Sequence, residues 1–200
     1  MRIYKKYGTD GYEVLKAIDG RWEEFVDFDG TPRASTWKPI RVRRVRPSLR
    51  QGFRPSDSPS SGCHLLTLRR SAVDALRDML DAHGELLPLE DEGGVELFAH
   101  NTWVLDAIDH ERSRGSRDEN GRISVANNLV FIPSVVEGVD IFKEACPRLG
   151  DIFLSERFLS RWKQAKLKGL DFVMVWDSDL PPEAQPNVWT SKPVKLSTIK

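Results

Sequence analysis

Over the first 46 positions apolar residues come in short bursts, Ile3-Tyr4, Trp22 to Phe28 and Trp37 to Val45, divided by Gly, Asp and Pro. That pattern predicts short strands joined by turns. Between the last two bursts, Asp29-Gly30-Thr31-Pro32 pairs a residue tolerant of positive φ with one locked near −65°, so a hairpin is expected there. Ile40 and Val42 alternate with Arg41 and Arg43, but Arg44-Val45 reverses the alternation, which implies a bulge or strand end near Arg43-Arg44. From Pro47 to Gly62 only Leu49 and Phe53 are apolar, too little burial to offset the ordering of a backbone, and an exposed loop is expected.

The middle of the chain is more regular. Leu65-Leu66-Thr67-Leu68 reads as a strand, and Ser71 with Asp74 three residues on reads as a capping-box start to a helix over Ser71 to His83. Val73, Leu76 and Leu80 form its apolar stripe, Gly84 is its expected C′ residue, and Glu85 to Leu89 returns extended. The same grammar recurs in Ile152-Phe153-Leu154, a Ser155 cap, a helix over Glu156 to Lys166 with Phe158, Trp162 and Ala165 inward, Gly169, and an apolar strand from Leu170 to Trp176. Asp106 to Glu111 reads as a short helix or turn, and Arg112 to Arg122 as a loop or hairpin tip ending in Asn120-Gly121. Leu129 to Ile132 and Val135 to Phe142 read as strands. Trp103, Trp162 and Trp176 are expected in the core. The whole predicts an α+β fold: a mixed, largely antiparallel sheet with two principal helices. Residues 1–62 are read as a strand-rich N-terminal segment packed on the same domain, 63–180 as the α+β core, and 181–200 as a tail on the surface.

Thirty Lys and Arg against thirty Asp and Glu give no net charge, which argues against a chain that coats nucleic acid through bulk charge. No stretch approaches the roughly 18 apolar residues of a membrane span, and Met1 to Lys6 lacks the apolar run of a secretory signal, so a soluble, cytoplasmic protein without membrane partners is expected. The two cysteines, Cys63 and Cys146, have no CxxC spacing and are read as reduced thiols.

Hydrolase and phosphate-binding motifs are absent from the sequence, and no two histidines stand at i, i+4, so neither a catalytic centre nor a cofactor or metal site is expected. Asp106 with His110 fits i, i+4 and offers either a base with its orienting carboxylate, half a metal site, or a plain solvated pair, with no nucleophile beside it. The most unusual composition is Arg41, Arg43, Arg44, Arg46, Arg50 and Arg54, with Arg33 and Lys38 upstream and no acid between Asp29 and Asp57. Guanidinium groups in such a run can bind a protein partner, bind nucleic acid or phosphate, or sit on a charged edge strand and pair with the acidic stretch Glu85 to Glu96. The complementary negative run is Glu90-Asp91-Glu92, and its separation from the arginines predicts a dipolar molecule. Trp37, Arg41, Arg43, Arg44, Arg46, Glu90, Asp91 and Glu92 are the candidate partner-binding residues, with Trp189 a further exposed candidate.

Several elements, in order and spacing, match a known family: the strand and helix leading to Gly84-Glu85-Leu86-Leu87-Pro88-Leu89; Asn101-Thr102-Trp103-Val104-Leu105-Asp106-Ala107-Ile108-Asp109 followed by Ser113; Asp140-Ile141-Phe142; and Ile152 through Phe158 to Lys168-Gly169-Leu170-Asp171-Phe172. Over roughly Leu65 to Asp177 the chain resembles the bacterial immunity proteins of family eleven, found beside polymorphic toxins. The resemblance implies a protein that is not an enzyme and that binds and neutralises a cognate toxin domain. Its matching polar positions, Asp106, Asp109 and Ser113, are as compatible with turns and caps as with toxin contact. The Arg-rich stretch lies outside the resemblance, among surface segments where toxin specificity is expected.

Overall fold

A computed structural model describes residues 1–26, 28–47, 53–62, 64–145 and 150–199. Cys63, Cys146 and Arg50 lie outside the described residues, so the thiol reading is not addressed.

The architecture is α+β with two five-stranded sheets. One holds β1 (Arg2–Gly8), β7 (Val104–Leu105), β10 (Ile141–Glu144), β11 (Ile152–Ser155) and β12 (Leu170–Asp177) in the order β12-β1-β11-β10-β7. The other holds β2 (Val14–Ala17), β3 (Ile40–Val45), β4 (Leu66–Arg69), β5 (Gly84–Asp91) and β6 (Leu97–Thr102) in the order β2-β3-β5-β6-β4. Each sheet is antiparallel except for one pair, β7 with β10 and β3 with β5. A separate hairpin joins β8 (Arg114–Arg117) to β9 (Ile123–Asn128).

The strand-helix-strand echo expected from sequence is a shared topology. Helix α2 (Arg70–Ala82) connects β4 to β5, which both run antiparallel to β6 lying between them. Helix α4 (Glu156–Gln164) connects β11 to β12, which both run antiparallel to β1 between them. The sheets then grow on different sides: β3 and β2 extend the first unit beyond β5, whereas β10 and β7 extend the second beyond β11.

Period-2 alternation divides the apolar side chains among three clusters. The shared central one takes Ala72, Val73, Leu76, Met79 and Leu80 of α2, Phe158, Leu159 and Trp162 of α4, and strand residues such as Tyr4, Leu66, Leu154 and Phe172. Phe142 and Phe153 point the other way, into a cluster with Phe131 and Trp176. Ile40, Val42, Leu87, Leu89, Leu97 and Ala99 meet Phe25 and Phe28 in the third. A register shift between Ile3 and Tyr4 sets Ile3 opposite Trp176 and Tyr4 opposite Met174, so Val175 and Trp176 join the same cluster. Buried polar groups tie the layers together. His83 donates through Nδ1 to Met79 O (2.8 Å) and accepts at Nε2 from Asp140 N–H (3.2 Å). The Lys143 ammonium donates to Phe28 O at 2.7 Å. His100 lies 3.0 Å from Leu80 O, and burial pushes it down to about 4, so it is neutral.

Several expectations are corrected. Trp22 to Phe28 contains a helical turn, α1 (Glu23–Val26), in place of a strand. No hairpin forms at Asp29-Gly30: the Asp29 carboxylate accepts from Thr31 N–H (3.0 Å) in a local turn, and the chain runs on to cross β5. Strand β3 is flanked by β2 and β5 and is not an edge, and its pairing with β2 runs without a bulge from Val42 to Val45, where it ends. The stretch 53–62 is pinned, with Ser56, Ser58 and Ser61 buried, because the Glu13 carboxylate and the Thr67 carbonyl accept its polar hydrogens. Leu129 to Val136 forms a bridge at Phe131 and a helical turn, α3 (Pro133–Val136), in place of strands, since Pro133 suits a first helical turn. Of the two alternatives for Asp106 to Glu111, helix or turn, no helix forms: His110 and Glu111 are turn, and Ile108 bridges to Phe131.

The two caps also differ from one another. Ser155 Oγ accepts from Phe158 N–H at 3.1 Å, as its position predicts. Helix α2 instead starts one residue early with no side-chain cap, and Ser71 Oγ donates to Asp57 at 2.5 Å. Gly84 opens β5 and is needed for close approach, since a Cβ there would stand 2.5 Å from Asn101 O. Ser155→Ala should therefore cost about 1 kcal/mol, lowering the melting temperature by about 2–4 °C. Ser71→Ala should change stability by less than about 0.5 kcal/mol, as read by urea unfolding of both variants.

Candidate partner-binding surface

Strand β3 carries the Arg-rich run between a strand with a cation and a strand with acids, and that placement decides what each arginine does. The parallel register sets Arg41 beside Glu90 and Val42 beside Asp91. Arg41 lies 3.6 Å from Glu90 with both side chains exposed, a pair worth little in water. Arg44 turns under the sheet end, where it meets Asp91 at 3.2 Å and Glu13 at 3.3 Å. Glu13 is fully buried and is also held by Arg69. Asp91 further accepts from the N–H groups of Gly93 (3.0 Å) and Val95 (3.1 Å), shaping the turn that leads into β6. Arg44, Asp91 and Glu13 thus form one desolvated network that the fold uses.

Arg43 and Arg46 are exposed and meet no acid among the described residues. Arg43 stands directly across from Lys16 of β2, which is also exposed. Like charges directly opposite one another destabilise a strand pair, so this juxtaposition does nothing for the fold. Glu90 and Glu92 are exposed beside these cations, with Glu92 N–H donating to Val42 O at 3.0 Å. Acids and arginines therefore interleave, and the dipolar separation expected from sequence is absent. Glu85 is spent on structure, its carboxylate accepting from the backbone N–H groups of Arg33 (2.7 Å) and Ala34 (3.0 Å). Arg54 stacks 4.2 Å from the Tyr12 ring, away from this face of β3.

Trp37 is half-buried against Phe28 and donates through Nε1 to Pro88 O at 2.8 Å, so only its rim is available. Among tryptophans the exposed ones are Trp189, 63% accessible, and Trp103, 47% accessible, the latter correcting its expected core position. Trp103 is outside because its backbone takes the close approach to Gly30 and its ring only edges His83. Lys16 and Trp103 were not among the sequence candidates. Lys16 becomes conspicuous only once the register of β2 on β3 is known.

A second cluster forms where the loop after β7 meets β10. One atom each of Asp106, His110 and Glu144 lie within 4.8 Å of one another. His110 Nδ1 accepts from Ile123 N–H at 3.0 Å, so the neutral ring carries its proton on Nε2 and presents a donor to the two carboxyls. A metal needs a lone pair there, and this donor set does not supply it. Asp106 Oδ1 is already taken by Arg122 at 2.6 Å. Burial pushes the Glu144 carboxyl up to about 7, and burial, then Arg122, lowers His110. Ser113, the nearest hydroxyl in sequence, is buried and engaged by Val130 N–H (2.8 Å), while Asp109 accepts from Arg112 N–H (3.0 Å). Ser113 and Asp109 are thus engaged within the fold, whereas Asp106 is exposed beside Arg122.

The model of an immunity protein family, Imm11, matches residues 98–177, from within β6 to the end of β12. The match bears out the family resemblance and supports an immunity role, and it stops short of the β4-α2-β5 unit that the resemblance also took in. No curated protein matches the chain. None of the described helices is long and apolar enough to cross a membrane.

Two outcomes follow. Arg44→Ala removes the cation from the buried Asp91, leaving it backbone donors alone, and takes one of two arginines from Glu13; it should cost about 3 kcal/mol, against less than about 0.5 for Arg43→Ala, measured by urea unfolding. A carboxyl raised by burial favours the folded state while protonated, and that contribution is lost as pH climbs from the ordinary carboxylate range through about 7. Glu144→Gln keeps the acceptor for Ala107 N–H and should melt higher than the parent at pH 8 and alike at pH 5. An offset independent of pH would contradict the assignment.

Proposed function

We propose that the chain is an immunity protein that binds a cognate toxin domain in the cytoplasm and neutralises it by occupying its surface, without turnover. The observation that carries the reading beyond the family match is the unpaired cation face: Lys16 and Arg43 opposed, Arg46 beside them, and Arg41 only loosely held by Glu90. A fold tolerates such a face when an acidic partner complements it, since complementary potential raises the association rate and rejects wrong partners. Glu90 and Glu92 supply the rim that fixes orientation, and Arg44 with Asp91 holds the strand ends from beneath. The interleaved acids disfavour a nucleic-acid backbone, which would bring phosphates against Glu90 and Glu92.

Charge reversal at the opposed pair, Lys16→Glu with Arg43→Glu, should slow association with the toxin domain encoded in the neighbouring reading frame by at least about tenfold at low salt. The difference should shrink as ionic strength rises. Stopped-flow or surface-capture kinetics read it. Unchanged association of the double variant would remove this face from the interface.

A further inference from the structure

Strand β2 is the outer strand of its sheet, and its free edge is only partly covered. The stretch after Arg54 runs beside it, making parallel bridges at Tyr12 with Arg54 and at Val14 with Ser60. Leu15 N–H points outward and donates to Ser60 O at 2.7 Å, whereas Ile18 N–H points inward to Arg41 O at 3.0 Å. Alternation along a strand then directs the N–H and C=O of Ala17 outward, as the next pairing position after Leu15. The covering chain does not reach it. Past Ser60 it bends away at Gly62, with φ of +98°, and a pocket of about 450 Å³ opens between Ala17 and Lys16 on one side and Ser61, Gly62 and His64 on the other, with Trp22 in its wall.

The far side of that pocket carries polar residues. Ser61 is 4% exposed, and its Oγ and His64 Nε2 are buried without a hydrogen-bond partner among the described residues. Burial, then the charges of Lys143 and Lys6, holds His64 below its ordinary value, so the neutral ring offers one donor and one acceptor. A strand entering the gap would find a backbone pair at Ala17 on its edge and an apolar wall for one side chain. Lys16 at the pocket and Arg43 opposite it set the charge of what enters.

We infer that an extended, acidic segment of the toxin adds to the edge of β2 at Ala17 and places an apolar side chain in the pocket beside Trp22. Strand addition of this kind takes affinity from backbone bonds and specificity from the side-chain pocket. The inference rests on the immunity reading and adds the way the partner is held.

Amide hydrogen exchange on the full chain, free and with the toxin domain encoded in the neighbouring reading frame, tests it. In the complex the Ala17 amide should exchange at least about tenfold more slowly than in the free chain. Ala17→Pro, which removes that N–H at an edge position where proline is tolerated, should weaken binding at least about tenfold with the melting temperature kept within a few degrees. Should this variant fail to fold, the exchange measurement on the parent chain decides alone. A complex that forms while Ala17 exchanges at its free rate overturns strand addition and leaves the immunity reading standing. Failure of the two proteins to associate overturns both.

Discussion

Two amphipathic helices, each with one apolar stripe, have to bury those stripes together. Helix α2 lies on β4, β5 and β6, helix α4 lies on β1 and β11, and the helices pack on one another. Trp162, fully buried between the rings of Phe158 and Phe172, sits in that shared core, and Arg161 reaches across to Asp78 and Ala75 O of the other helix. Burial on this scale is the dominant favourable contribution to folding, and it fixes the two sheets relative to the helix pair. One consequence bears on function. The sheet under α2 continues past β5 into β3 and β2, whose Arg41, Arg43 and Lys16 side chains are left exposed.

What becomes of the arginines follows from a second constraint, the desolvation of Glu13 and Asp91. A buried carboxylate is stable only with charged or hydrogen-bonding partners, and these two absorb Arg44 and Arg69. The Arg-rich run is therefore two populations: one residue that closes the structure from beneath, and neighbours whose charge faces solvent. The same sorting applies to the acids, where Glu85 and Asp91 shape backbone and Glu90 and Glu92 remain exposed. Exposed Lys16 thus lies on the strand whose outer edge is only partly covered, at the pocket that Ala17 lines.

Much of the framework was legible because it rests on local rules. The stripe of Val73, Leu76 and Leu80, the Ser155 cap and the apolar run through Leu170 to Trp176 each read correctly from spacing. So did the tight turn at Asn120-Gly121, which joins β8 to β9. What was not legible depends on contacts distant in sequence. Ser71 looks like a cap until Asp57, far upstream, takes its hydroxyl. Gly84 resembles a helix terminator, but its need is room for Asn101 O. The loop before residue 62 looked solvated because serines are polar, and nothing local says that Glu13 and Thr67 would receive their hydrogen bonds. For the site, the Arg run stood out by composition, while Lys16 required knowing which strand lies beside β3. Asp106 and His110 drew notice by spacing, and only the backbone N–H of Ile123 shows that the ring presents a proton where a metal would need a lone pair.

On the proposed reading the chain is a stoichiometric inhibitor whose exposed cations meet an acidic face. The family match over 98–177 lies mostly in the sheet that holds β10, β11 and β12, whereas the cation face lies in the other sheet. On the proposed reading, most of the family-matched stretch and the toxin-contacting face are carried by different sheets. Survival on co-expression tests this most directly. Cells making the toxin domain of the neighbouring reading frame should die alone, live with the parent chain, and die again with the Lys16→Glu, Arg43→Glu variant at equal protein level. Equal death with and without the parent chain would contradict the account.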